Sequence, residues 1–337
     1  MLEDKEITVY PTYGYRTGNT WTIPLRIWVH KPRRVDAVSD DLIRILLGEQ
    51  SSGILPSEQE VIRCRECVAD FLADDDSGES VSFTFDKGDK VYRFASSTDH
   101  NGLVEETFEA PGDYAGWLTV MAEVKGGFGK VFRDTGRVRL LEPQGKSVVS
   151  DIDDTIKVSE IPAGGRIVLR NTFLRDYVVV EGMRDRYVSF GDVSFHYVSG
   201  SPWQLYRLLD TFLIKKGGFP EGTFHMKSLR KNLLDLRGFV RDIQNFVAGK
   251  AYTKEQKLTQ ISGLIKNLPQ RKFTLIGDSG ELDPEVFTEL RAKYPAQVEK
   301  IIIRDVVGAR THAPDRLKHL DEVLDAPVVL HGQTQFK

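Results

Sequence analysis

Val148-Val149-Ser150-Asp151-Ile152-Asp153-Asp154-Thr155 decides how the rest of this chain is read. A short apolar run ends in two carboxylates one residue apart, with a third acid and a threonine directly behind. On a β-strand alternate side chains share a face, and at the C-terminal end of a strand Asp151 and Asp153 can converge on one point. That arrangement suits a hard divalent cation with a nucleophile beside it. Asp is also frequent in turns, so in isolation the stretch reads equally as an acidic turn closing a strand. The flanking sequence separates the two readings.

Downstream of Lys146 apolar strands alternate with helical stretches. Strands are expected at 147–150, 195–199, 272–277 and 298–304, and helices at 202–213, 253–267, 284–293 and 314–325. This alternation predicts an α/β domain with a mainly parallel sheet, in which ligands sit beyond the C-terminal strand ends. The run Phe195-His196-Tyr197-Val198 ends in Ser199-Gly200-Ser201-Pro202-Trp203, a corner with free amide donors for an anion. Ser201 also suits the N-cap of a helix opened by Pro202. The run Phe273-Thr274-Leu275-Ile276 ends in Gly277-Asp278-Ser279-Gly280-Glu281-Leu282-Asp283-Pro284, a second acidic strand end. Together with Asp151 and Asp153 it offers the oxygen-rich surroundings that Mg²⁺ prefers, although Asp283 equally suits the cap of a helix opened by Pro284. Lys257, near the start of the preceding helix, is placed to reach a phosphoryl group between the two acidic ends; an exposed helix lysine is otherwise simply solvated.

Upstream, strand-like segments recur at 6–10, 22–30, 61–71, 80–85, 90–94, 103–109, 117–124 and 131–141, separated by Gly, Asp and Asn turns. One helix is expected over Leu42–Leu47, capped by Asp40-Asp41 and stopped by Gly48. Many short strands with turns between them predict an immunoglobulin-like β-sandwich serving an accessory or recognition role. The expected division is a β-sandwich domain over 1–145 and a catalytic domain over 146–337, with Leu141–Lys146 as the linker.

The chain has 337 residues, 40% of them hydrophobic and 28% charged, which describes an ordinary globular protein with room for two domains. A net charge of −3 argues against a nucleic-acid partner recruited by a global basic field. The two cysteines, Cys64 and Cys67, form a C-x-x-C without a second ligand pair or a βαβ context, so buried thiols on a strand are expected rather than a zinc or redox site. The acidic start Met1-Leu2-Glu3-Asp4 lacks the order of a signal peptide, and no apolar run reaches membrane-span length. A cytoplasmic protein is expected, peripheral on membranes at most. No G-x-x-x-x-G-K-[ST] phosphate loop occurs, which disfavours a kinase.

The ordered set D-x-D-x-T, strand–Ser, Lys and G-D-x-x-x-x-D resembles the haloacid dehalogenase superfamily of phosphohydrolases. Ser150–Glu160, Asn171–Arg175, Tyr197–Trp203, Gly218–Pro220 and Leu275–Glu285 look like the actin-patch-type phosphatidate phosphatase family, with the likeness running from about Lys146 to Val306. The N-terminal half resembles the corresponding region of bacterial members more loosely. The resemblance implies a three-layer fold of haloacid-dehalogenase type and Mg²⁺-dependent release of diacylglycerol from phosphatidate. It also implies the roles. Asp151 is the nucleophile that forms an aspartyl-phosphate, and Asp153 is the acid and base. Thr155 orients the loop, and Ser199, Gly200 and Lys257 hold the phosphoryl oxygens. Asp151, Asp278 and the Asp153 carbonyl are the metal ligands, with Asp283 supporting through water. Asp154 is expected to face outward.

Substrate choice is expected to lie in the inserts, one over Asn171–Gly182 and one over Lys215–Lys250. In the second, Lys227, Arg230, Lys231, Arg237 and Arg241 stand against Asp235 alone across 227–241, a local surplus of +4. A basic, leucine-bearing cap suits an anionic phospholipid at a bilayer surface, although a solvated cap helix has the same composition. Two competing functions remain at this level: a soluble phosphomonoesterase acting on a sugar phosphate, nucleotide or phosphoprotein, and a non-catalytic lipid-binding module.

Overall fold

The structure is a computed structural model that describes residues 4–32, 43, 57–86, 91–112, 114–228 and 250–326. Its described residues form two compact units, one from 4–32 and 68–144 with Gly222–Phe224, the other from 57–67, 145–221 and 225–326. Together they make a mixed α/β protein with antiparallel and parallel pairing.

In the first unit, β1 (Glu6–Val9), β2 (Thr12–Thr17) and β3 (Thr20–Lys31) are followed by helix α1 (Glu58–Leu72), which straddles the two units. Then come β4 (Asp74–Asp75), β5 (Ser80–Asp86), β6 (Val91–Ser97), β7 (Leu103–Pro111), β8 (Gly116–Lys125) and β9 (Val131–Leu141). The pairings are antiparallel except β2 with β9. The long β3 organises them, because Trp21, Ile23, Leu25, Ile27 and Val29 fall on one face and are all buried, the period-two pattern of a half-buried strand. Phe83, Phe85, Phe94 and Phe108 pack around that core with neighbouring centroids 4.7–5.9 Å apart, the spacing at which offset and edge-on rings attract.

The second unit carries β10 (Gln144–Asp151), β11 (Ser194–Pro202), β12 (Gly222–Lys227), β13 (Gln270–Asp278), β14 (Val298–Asp305) and β15 (Glu322–Asp325) in the order β12-β11-β10-β13-β14-β15. β10–β11, β13–β14 and β14–β15 pair in parallel. Around them lie α2 (Gly165–Phe173), α3 (Met183–Val188), α4 (Tyr206–Asp210), α5 (Lys250–Asn267), α6 (Asp283–Lys293), α7 (Ala309–His312) and α8 (Pro314–Leu317). The chain lays β11 and β12 on one side of β10, then returns to place β13 on the other. The strand order therefore reverses between β10 and β13, and the crevice at a sheet's carboxyl edge opens at such a reversal. Asp151 ends β10 and Asp278 ends β13, so both acidic strand ends meet there.

Four sequence expectations are corrected. Residues 61–71 are helical: Cys64, Cys67, Val68 and Phe71 follow the i, i+3, i+4, i+7 spacing of one buried helix face, which the alternating charges between them disguise. A capping box opens this helix, with Glu60 N–H donating to Ser57 Oγ (3.2 Å) and Ser57 N–H to Glu60 Oε2 (2.8 Å). The expected linker over Leu141–Lys146 is mostly strand, with β9 running to Leu141, β10 beginning at Gln144 and only Glu142 and Pro143 between them. The division between the units does fall there, after Gln144. The helix expected over 202–213 starts late, at Tyr206, and ends in a π-type segment over Thr211–Lys216. The helix expected over 314–325 is the single turn of α8 followed by β15. Cys64 and Cys67 are buried and not joined in a disulfide. The helix expected over Leu42–Leu47 falls outside the described residues except for Ile43, and so do the basic residues expected at 230–241.

Candidate active site

Asp151, Asp278 and Asp283 are buried and present one carboxylate oxygen each within 4.8 Å of one another. The third comes from the first residue of α6. Its carboxylate turns back to accept the Asp278 N–H (3.2 Å) and does not cap the helix, so the capping alternative for Asp283 is not the one adopted. Gly277 makes this approach possible: a Cβ there would lie 2.7 Å from the Asp283 Cβ. Gly280 and Glu281 donate their N–H groups to Asp278 Oδ1 at 2.6 and 3.2 Å. Arg316 on α8 pins the loop from behind by binding the carbonyls of Ser279 and Glu281 and the Glu285 carboxylate.

Lys257 enters this cluster from α5. Its Nζ lies 2.5 Å from Asp283, 2.8 Å from Asp151 and 2.9 Å from Glu281, with 2% of its side chain exposed. Burial works against the charge on Lys257, but the surrounding carboxylates outweigh it and the ammonium is held well above its ordinary pKa. Burial and mutual repulsion push Asp151 and Asp278 well above the carboxylate range, with Lys257 pulling the other way, and Asp283 is raised for the same reasons. One ammonium thus faces four carboxylates counting Glu281; Asp278 Oδ2 accepts no hydrogen bond from any described residue, and Asp151 Oδ1 has the shared Lys257 ammonium beside it at 2.8 Å. A buried carboxylate oxygen without a donor, in a cluster with more carboxylates than ammonium groups, is what an oxygen-liganded divalent cation satisfies, so the donor set fits Mg²⁺. Thr155 Oγ1 donates to the other Asp151 oxygen at 3.1 Å and fixes its rotamer.

Asp153 points away from this cluster into a cradle of its own. It accepts from Lys157 Nζ (2.6 Å), Ser159 Oγ (2.6 Å), Ser199 Oγ (3.1 Å) and Ser201 Oγ (3.2 Å). Burial alone would raise it, but the Lys157 ion pair and these hydrogen bonds prevail and hold Asp153 at about 2. Lys157 is as buried as Lys257, donates also to Ser159 (2.5 Å) and lies 4.9 Å from the centre of the Tyr177 ring. Arg63 of α1 stacks over that same ring at 5.2 Å. Ser199 and Gly200 stand at the end of β11, where a Cβ on Gly200 would press on Thr253 at 3.1 Å. Ser201 remains in the strand and makes no helix cap; its N–H donates to Ser199 Oγ.

Asp154 is also corrected. It is buried at φ +54°, and its carboxylate accepts the N–H groups of Ser159 (2.8 Å), Glu160 (2.7 Å) and Ile161 (2.6 Å). The loop after β10 reverses at this point and leaves three amides without partners, and the acid turns inward to satisfy them. Of the expected residues, Asp151, Thr155, Lys257, Asp278 and Asp283 gather in one cluster, while Asp153 and Ser199 form a second beside it. Lys157, Ser159 and Glu281 were not singled out from sequence. Glu281 stood in the quoted strand-end loop, and Lys157 follows Asp153 at i+4 with nothing local to show that it is buried. Lys227 is the one basic cap residue described; burial pulls it down to about 8 against the attraction of Glu281.

Three carboxylates and a lysine gathered where a parallel sheet reverses its strand order make a polar strand-end site of the kind enzymes place there. Residues 146–305 match the family model described as "Phosphatidate phosphatase APP1, catalytic domain", so this segment is similar to that catalytic domain. Among curated proteins the chain is 32% identical over 197 residues to phosphatidate phosphatase APP1 of Saccharomyces cerevisiae, which covers 57% of this chain and 31% of that protein. It is 33% identical over 175 residues to an uncharacterized protein of Schizosaccharomyces pombe, covering 51% of this chain and 27% of that one. The chain therefore spans about a third of the length of these relatives. A cell-surface chitinase of Paenibacillus, a solved structure, is similar at 10% identity and a TM-score of 0.20 over 97% of this chain and 27% of its own. That likeness is too low to carry any argument.

Proposed function

We propose that this protein is a Mg²⁺-dependent phosphatase that converts phosphatidate to diacylglycerol and phosphate through an aspartyl-phosphate on Asp151. The observation that carries the reading is the Asp151–Asp278–Asp283 cluster with its surplus of carboxylates over ammonium groups and its unpartnered Asp278 Oδ2, in a segment that matches the APP1 catalytic-domain model. The strand order and the D-x-D, Ser, Lys and acidic strand-end set support a haloacid-dehalogenase-like catalytic domain over 146–337. The antiparallel N-terminal strands support an immunoglobulin-like accessory domain over 1–145.

Asp151, Asp278 and Asp283 would hold Mg²⁺, which when bound neutralises the repulsion between a carboxylate nucleophile and a phosphate dianion. An Asp151 carboxylate oxygen bonds to phosphorus and the bond to the glyceryl oxygen breaks. Asp153 gives that oxygen its proton and so must enter this step as the carboxylic acid, the minor form beside Lys157, returning to the carboxylate that the cradle favours. Asp153 then takes a proton from water. The water oxygen bonds to phosphorus, and the bond to Asp151 breaks. Thr155 keeps Asp151 aimed, Lys257 neutralises the developing charge on the phosphoryl oxygens, and Ser199 both binds an oxygen and anchors Asp153. Among the described residues no helix is long and apolar enough to cross a membrane. Peripheral encounter with a lipid surface from a cytoplasmic location, aided by the basic stretch over 227–241, completes the proposal.

The test is phosphate release from phosphatidate in mixed micelles, with and without Mg²⁺, against a panel of water-soluble phosphate esters. Turnover of phosphatidate that is lost on chelation and in Asp151→Asn is expected. Hydrolysis of the soluble panel alone would replace the lipid reading with a soluble phosphomonoesterase.

A further inference from the structure

A cavity of about 610 Å³ lies at the carboxyl edge of β14 and β15, beside the loop that follows β10. Its wall is largely apolar, with Val158, Pro162, Val180, Met183, Val306 and Leu324 contributing. Volume and lining are those of a ligand pocket and far exceed what packing defects leave. None of the residues assigned to the reaction above lines it.

The cavity is nonetheless one residue away from the chemistry. Gly280 donates its N–H to Asp278 Oδ1, and a Cβ on Gly280 would meet that oxygen at 2.9 Å, Pro162 at 2.9 Å and Val306 at 3.0 Å. A single glycine therefore separates the metal-binding carboxylate from two cavity-lining side chains. On the other side Arg304, a lining residue, donates to the backbone carbonyl of Asp154, three positions after Asp151. Four acids line the cavity, Asp154, Glu160, Glu181 and Asp325; Glu181 is exposed, and the other three have partners. Asp154 accepts three amides, Glu160 accepts from Asn171 at 2.9 Å, and Asp325 pairs with Arg310 at 2.9 Å. Their charge disfavours a second phosphate in the cavity, while the apolar wall favours hydrocarbon.

We propose that this cavity is an acyl-chain subsite, taking hydrocarbon of the lipid whose phosphate is held at Asp151 and Asp278. The inference rests on the proposed lipid phosphatase activity but is separable from it. Binding there is uniform in the substrate and the transition state, so it acts through the affinity for long-chain lipid.

The decisive variants are Val307→Trp and Leu324→Trp, which fill the cavity from positions outside the reacting cluster; Val307 is already 38% exposed and tolerates enlargement. For dioleoyl phosphatidate in mixed micelles kcat/KM is expected to fall about tenfold through KM, the equivalent of roughly two methylenes left unburied. For dibutyryl phosphatidate it is expected to stay within about twofold, a change too small to represent one buried methylene. Equal losses on both substrates, or none on either, overturn the subsite. Cis-parinaric acid fluorescence provides a readout independent of turnover. Saturable binding to the wild type, weakened in both variants, supports the subsite, and unchanged binding in the variants or none to the wild type overturns it. If the wild type binds parinarate and releases no phosphate from phosphatidate, the phosphatase reading fails and the hydrocarbon site stands.

Discussion

Two buried lysines stand on either side of the strand-end loop after β10, in opposite electrical circumstances. Lys157 meets one carboxylate, Asp153, and a hydroxyl that shares it, so charge is balanced within a hydrogen-bonded cradle. Lys257 lies among three carboxylates within 2.9 Å, with Asp278 adding a fourth to the same group. The same kind of side chain, equally hidden from water, depresses the acid it faces in one place and fails to restrain the acids in the other. Balanced charge marks a positioning device, and unbalanced charge marks a place built to receive a further cation.

The contrast can be broken in several ways. Asp151→Asn keeps shape and removes the nucleophile, so phosphate release should drop by at least about a thousandfold with an unchanged far-ultraviolet circular dichroism spectrum. Retained turnover in this variant would sink the assignment. Lys157→Met takes from Asp153 its strongest donor and the main counter to burial, which then pushes that carboxyl up and lets it turn out of position. It should lower kcat by about a hundredfold with little change in KM, since general acid–base catalysis is commonly worth that much. Lys157→Arg should recover part of the loss, and equal effects on kcat and KM would argue against a positioning role.

The two regions should also answer pH oppositely. Asp153, depressed to about 2, contributes stability that is complete above the unfolded carboxylate pKa of about 3.9 and is lost as pH falls toward 2. Asp151 and Asp278, raised by burial and crowding, behave in reverse: without metal the folded state loses stability as pH rises through their elevated range. Millimolar Mg²⁺ should therefore raise Tm more at pH 8 than at pH 5, and Asp278→Asn should erase most of the difference. A Tm indifferent to Mg²⁺ at both values would remove the metal from the site.

A smaller effect checks that the cradle variants remain folded. Burial pushes the Cys64 thiol up to about 12, with Arg65 pulling slightly the other way. At pH 8 it should resist Ellman's reagent until the protein is unfolded in urea. Cys64 neighbours Arg63, which stacks on the Tyr177 ring over Lys157, so a native-like thiol rate in Lys157→Met shows that the helix still packs.

The parts of this site that were legible in the sequence are those set by strand ends. Asp151, Asp278 and Ser199 each follow an apolar run, and the period of a strand together with the carboxyl-edge rule places them. Lys257 and Asp283 were readable as candidates because they sit near the start of helices beside those ends. Asp154 was misread because its orientation depends on three amides exposed by the backbone reversal at Glu160, a demand that no side-chain periodicity records. Lys157 went unnoticed because its burial comes from Tyr177 and the strand ends around it. The C-x-x-C stretch shows how short-range alternation misleads, for Cys64 and Arg65 begin like a strand while Cys67, three residues on, can share a face with Cys64 only on a helix, which the Ser57–Glu60 capping box opens.

The missing side chain at Gly277 links two positions six apart that must change together. Any residue larger than glycine there collides with the Asp283 carboxyl group, so Gly277→Ala should act by displacing that acid. Once Asp283 has been replaced by glycine, which removes its Cβ along with its carboxyl group, the same substitution should be nearly silent. A double-mutant cycle between 277 and 283 would then show strong non-additivity. The glycine would behave, in energetic terms, as part of the acid it makes room for.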